Sequence, residues 1–113
     1  MAAIHHVAVV VDDLDQSIGF YTRALGFRLS ADRPGTLGPG AWLDVGDQQL
    51  HLIAGSSGPS RGQHFAVLVD DLDAEVRRLR AAGVDVSDPV PVGAARQSFL
   101  ADPSGNAIEL HEK

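Results

Sequence analysis

His6-Val-Ala-Val-Val-Val-Asp-Asp-Leu-Asp15 is repeated, with two substitutions, as His64-Phe-Ala-Val-Leu-Val-Asp-Asp-Leu-Asp73, 58 positions further on. Each copy begins on a histidine inside an alternating apolar run. Each ends in an acidic cluster that precedes a helical pattern. A unit of this size occurring twice in 113 residues indicates two copies of one module.

Outward from the first copy, residues 4–11 read as a strand with Val7, Val9 and Val11 on one face and His6, Ala8 and Val10 on the other. Asp12 or Asp13 suits the cap of the next helix, and Asp13 places Gln16 at the capping-box position. Leu14, Ile18, Tyr21 and Leu25 then form one helical stripe, stopped by Gly26. Phe27–Ala31 reads as a short strand and 32–40 as a loop rich in Gly and Pro. Ala41–Val45 and Gln48–Ile53 read as a hairpin about Gly46-Asp47. Module one, residues 4–53, is therefore βαβββ.

Residues 54–62 have the composition of a flexible linker. Module two, residues 63–112, repeats the order. A strand over 64–69 leads to a helix capped by Asp70 or Asp71, whose stripe is Leu72, Val76 and Leu79. Gly83 ends that helix one residue early relative to Gly26. Short strands are expected at Val84–Val86, Arg96–Ala101 and Ala107–His111, with a loop over 87–95 and a turn over 102–106.

Composition narrows the function. Apolar residues make up 44% and charged residues 21%, as in ordinary globular proteins. A net charge of -6 argues against nucleic acid or an anionic membrane as partner and favours a neutral or cationic small ligand, or a metal. With no cysteine, disulfides, thiolate catalysis and thiolate metal sites are excluded. No signal-peptide pattern opens the chain and no apolar run approaches a membrane span, so a cytoplasmic location is expected.

The offset of 58 also carries Leu50-His51-Leu52 onto Ile108-Glu109-Leu110. With the leucines and isoleucine turned to the helix, alternation turns His51 and Glu109 away from it, and His6 and His64 likewise. His5 competes with His6, but its repeat mate is Gln63. A single histidine on a strand is more often a hydrogen-bonded residue than a ligand. Four metal-ligand side chains at repeat-linked positions point to one divalent ion, and imidazole and carboxylate donors suit Zn, Ni, Co, Mn or Fe. Ala8, Ala66 and Ala107 beside them leave room for an ion and a substrate. By strand parity Trp42, Asp44, Arg96 and Ser98 are candidate substrate contacts, Arg96 for a carboxylate or phosphate. Arg33 and Arg61 are expected to be solvated in loops.

These residues resemble the vicinal oxygen chelate superfamily, which includes glyoxalase I, methylmalonyl-CoA epimerase, extradiol dioxygenases, and fosfomycin- and bleomycin-resistance proteins. The resemblance rests on His6-Val-Ala, Asp12-Asp-Leu-Asp15, Phe20-Tyr21, Leu25-Gly26-Phe27, the second decapeptide, and Phe99-Leu-Ala-Asp-Pro-Ser-Gly-Asn-Ala-Ile-Glu109-Leu. It implies an α+β fold of two tandem βαβββ modules whose mixed sheets curl around a metal-binding cleft. It also implies His6, His51, His64 and Glu109 as metal ligands, Glu109 doubling as the catalytic base. His51 stands where glyoxalase I usually has Glu and the epimerase Gln, a departure that weighs against glyoxalase I itself.

The implied chemistry is chelation of a small substrate through two adjacent oxygens, with isomerase, epimerase or lyase proton transfer. The alternatives are a drug- or metabolite-binding resistance protein without turnover, and an extradiol-type dioxygenase. A homodimer is the expected assembly.

Overall fold

The computed structural model describes residues 2–59 and 61–113. It divides into two compact units, 1–59 and 60–113. In the first, β1 (His6–Val11), α1 (Leu14–Arg23), β2 (Arg28–Leu29), β3 (Gly40–Val45) and β4 (Gln48–Ala54) follow in order, with a 3-10 turn at Gly35–Leu37. The second contains β5 (His64–Leu68), α2 (Leu72–Ala81), β6 (Val90–Val92), β7 (Ala95–Ala101) and β8 (Ala107–Glu112). Each unit is one four-stranded mixed sheet, ordered β1-β4-β3-β2 and β5-β8-β7-β6. The first and last strands of each unit are parallel neighbours, and the other pairs are antiparallel.

The acidic clusters divide their labour. Asp13 caps α1 by accepting from the Gln16 backbone N–H at 3.0 Å, and Asp71 caps α2 by accepting from Ala74 at 3.1 Å. Asp12 instead accepts from the Ser57 backbone N–H at 2.8 Å and its hydroxyl at 2.7 Å. The expected linker is thus tied to the end of β1 at Ser57; its Ser60 lies outside the described residues. Gly26 and Gly83 both take positive φ, 71° and 84°, the conformation that ends a helix without a Cβ penalty.

In the first unit the helix-side core contains Val11, Tyr21, Phe27, Leu43, Leu50 and Leu52. In the second it contains Leu72, Val76, Leu79, Leu100, Ile108 and Leu110. Each set takes alternate positions on its strands, so every sheet buries one face under its own helix.

Two strands differ from expectation. Phe27–Ala31 contracts to Arg28–Leu29, because Phe27 is drawn into the core by its backbone bond to the Tyr21 carbonyl at 3.0 Å. The strand expected at Val84–Val86 forms instead at Val90–Val92, an edge position that tolerates Pro91. Val86 is a buried plug whose carbonyl accepts from the Arg80 guanidinium at 2.7 Å. No helix among the described residues is long and apolar enough to cross a membrane.

Candidate metal and substrate site

In the second unit, pairing of β5 with β8 sets Ala66 opposite Glu109, so His64 and Glu109 share the face away from α2. His64 Nε2 donates to Glu109 Oε1 at 3.1 Å, and His64 Nδ1 donates to the Gly62 carbonyl at 2.9 Å. With acceptors at both nitrogens, the imidazolium is favoured: first the Gly62 bond and then the Glu109 contact raise the His64 pKa above its ordinary value, against a burial effect that lowers it. The neutral ring protonated at Nδ1 turns its Nε2 lone pair toward Glu109, the arrangement by which a backbone carbonyl orients a ligating histidine.

Glu109 is 9% exposed, and its other oxygen, Oε2, accepts from His111 Nδ1 at 2.9 Å. His111 was not singled out from the sequence. Its signal was its place two residues beyond Glu109 on one strand, hence on the same face. Among the described residues no group of three His, Asp or Glu side chains is arranged to hold a metal ion.

In the first unit His6, Ala8, His51, Trp42 and Asp44 share the face away from α1. The His51 ring lies between two others: His6 at 4.0 Å and 14°, Trp42 at 4.5 Å and 8°. His51 Nε2 donates to Gln49 Oε1 at 2.9 Å, and Gln49 Nε2 donates to Asp44 Oδ1 at 3.0 Å. Burial first, then the charges of His6, His5 and Arg33, pushes the His51 pKa down, which favours the neutral ring a metal ligand needs. His5 contacts His6 through their Nδ1 atoms at 2.9 Å.

The donor types of both pairs fit a divalent cation. His64 and Glu109 already face each other; His6 and His51 are stacked, with nearly parallel planes, so joint coordination requires one ring to turn.

Arg96 and Ser98 lie elsewhere than parity suggested. β7 pairs Phe99 with Glu109 and Ser98 with Leu110, so Phe99 and Gln97 share the Glu109 face while Arg96, Ser98 and Leu100 face the helix. Arg96 forks onto Asp73 at 2.9 and 3.1 Å and reaches Glu112 at 3.4 Å, tying α2 to β8. Ser98 is fully buried. The cause is visible in the repeat. Trp42 pairs with His51 as Phe99 pairs with Glu109, an offset of 57 on β7 against 58 on β8. A one-residue slip turns every side chain of a strand to the other face. Gly26 and Gly83, also 57 apart, mark where the slip begins. Phe99 contacts the His64 ring edge-on at 5.3 Å.

The profile of the Glyoxalase/Bleomycin resistance protein/Dioxygenase superfamily matches residues 3–110. A probable lactoylglutathione lyase of Vibrio cholerae is 34% identical over 95% of this chain and 88% of its own length. A putative glyoxalase family protein from Bacillus anthracis superposes with a TM-score of 0.89 at 25% identity, over 100% of this chain and 96% of the other. TnmS3, an antibiotic binding protein from Streptomyces sp. CB03234, gives 0.85 at 30% identity, over 99% and 96%. The chain spans only 35% of the length of a probable chloroplastic lactoylglutathione lyase of Arabidopsis thaliana, to which it is 32% identical over 96% of its own residues.

Proposed function

The chain belongs to the glyoxalase/bleomycin resistance protein/dioxygenase superfamily, and on that premise we propose that it is a divalent-metal-dependent enzyme of the glyoxalase-like type. It would bind a small substrate through vicinal oxygens for isomerase, epimerase or lyase proton transfer. The donors are His6 and His51 from the first module and His64 and Glu109 from the second. The observation that carries this reading is the second pair: a histidine oriented by the Gly62 carbonyl faces a nearly buried carboxylate at 3.1 Å. One ion of Zn, Ni, Co, Mn or Fe, when bound, would supply Lewis-acid polarisation of a substrate carbonyl.

The remaining chemistry falls to the chain. Glu109 takes a proton from the carbon beside that carbonyl and returns it, as a general base then acid. Its burial strengthens its electrostatic interaction with the substrate. Trp42 offers a flat apolar wall next to His51. The assembly we propose is a homodimer, tested by sedimentation.

The deciding experiment is elemental analysis of the purified protein beside Glu109→Gln and His64→Ala, followed by deuterium exchange from solvent into an α-hydroxy ketone or thioester. Bound metal that falls in both variants, with exchange that depends on it, supports the reading. Unchanged metal in both sinks the four-donor site. A second reading, ligand sequestration without turnover, is favoured by the antibiotic-binding relative and by the Trp42–His51–His6 stack. Stoichiometric ligand binding with no exchange would select it.

A further inference from the structure

Among the described residues, Arg33 is a half-buried cation with no counter-ion beside it. Arg78, Arg80 and Arg96 each pair with a carboxylate, whereas Arg33 has no acidic partner among the described residues. Its Nη1 donates to the Gly38 carbonyl at 2.8 Å, and its buried Nε has no hydrogen-bond partner among the described residues. A guanidinium that is half-buried, partly dehydrated and unneutralised favours an anion more than a solvated arginine does. The expectation that Arg33 is solvated is corrected by this seat.

The seat is built by glycines. A Cβ on Gly40 would lie 2.6 Å from the Leu52 backbone carbonyl oxygen, which demands glycine there, and Arg33 Nη2 packs into the space this leaves, 2.6 Å from the same Cβ position. Gly38, whose carbonyl holds Nη1, has a φ of 76°. Gly40 pairs with Ile53, one step along the same face from the Trp42–His51 pair. Side chains two residues apart on a strand are separated by about 7 Å. A chain with net charge -6 repels anions at long range, so an anion site on it needs a local cation of this kind.

We propose that Arg33 binds a carboxylate or phosphate group of the substrate, about 7 Å along the sheet from the Trp42–His51 pair. The substrate class is then a small anion with vicinal oxygens at one end and a second, oxyanionic group at the other. This rests on the proposed metal-chelating function for the vicinal-oxygen end. The anion end stands on Arg33 and Gly40 alone.

A matched pair of probes separates the two ends. 2-Oxoglutarate and 2-oxopentanoate share the vicinal oxygens and differ in the distal carboxylate. Binding to the zinc-loaded protein is measured by calorimetry, and glutarate, which lacks the keto oxygen, is titrated into chelator-treated protein. In the wild type, 2-oxoglutarate should bind about tenfold tighter than 2-oxopentanoate. Arg33→Gln should bring that ratio to about one and abolish glutarate binding, and Arg33→Lys should restore part of both. Thermal melts establish that both variants are folded. Absence of any Arg33-dependent difference, with zinc or without it, overturns the anion site. Zinc-independent binding of both keto acids, with the Arg33 effect intact, overturns the metal reading and leaves the anion site standing.

Discussion

His111 Nδ1 lies 2.9 Å from Glu109 Oε2, so the carboxylate is held on one oxygen by its own strand and on the other by His64 of β5. This bond keeps Oε1 turned toward His64. His111→Ala is expected to weaken metal binding about 10- to 100-fold, the usual effect of removing a partner that orients a ligand. His111→Asn, whose amide N–H can replace Nδ1–H, should recover most of it. Competition with a chromogenic chelator measures both; equal affinity in wild type and His111→Ala would count against the clamp.

Gly62 supplies the carbonyl that orients His64, and it does so at a φ of 98°. Gly62→Ala should cost at least about 1 kcal/mol of stability, because L side chains disfavour this conformation. It should also weaken metal binding by disorienting His64. Gly58→Ala, where an added Cβ meets open space and φ is not positive, is the control and should be nearly neutral. Urea midpoints of the two variants test the difference.

The raised pKa of His64 has a definite sign in the chelated protein. The stabilisation from its imidazolium is fully present below the ordinary value of 6.5 and is lost as pH rises through the raised value. Melting temperature in chelator should therefore fall across that window, and it should fall less in His64→Asn. A steeper decline in the variant would contradict the assignment. Metal binding should show the opposite trend, strengthening as the competing proton leaves.

Trp42, the only tryptophan, stacks on His51 at 4.5 Å and so reports on that ring. Its emission should respond to Co(II) or Ni(II) in the wild type and lose that response in His51→Ala. The same variant should cost about 1 kcal/mol or slightly more through the lost ring contacts. An undiminished response in His51→Ala would remove His51 from the donor set.

Arg96 ties the first turn of α2 to β8 through Asp73 and Glu112. The hydrogen bonds from Arg96, and then the charges of Arg96 and Arg77, hold Asp73 below its ordinary carboxylate value against a burial effect that raises it. Arg96→Met is expected to lower the melting temperature and leave metal and keto-acid binding unchanged. A selective loss of ligand affinity at unchanged stability would return Arg96 to the substrate contacts.

Much of this protein was legible before folding was considered. Alternation within β1, β4, β5 and β8 is a local property, so His6, His51, His64 and Glu109 could be assigned to the face away from the helices. The caps at Asp13 and Asp71 and the glycine stops at Gly26 and Gly83 are likewise local, since each depends on backbone groups within one turn.

Strand pairing is not local, and there the tertiary structure decided. The offset between modules changes from 58 to 57 at Gly83 and returns to 58 by Ala107, which places Phe99 rather than Ser98 opposite Glu109. Gly40 has no functional signature in the sequence; it matters because Arg33 and the Leu52 carbonyl converge on it. The repeated decapeptide determined the two modules and which side of each strand bears the histidines. Register, a matter of turn length and hydrogen-bond pairing between distant segments, determined which side chains stand beside them.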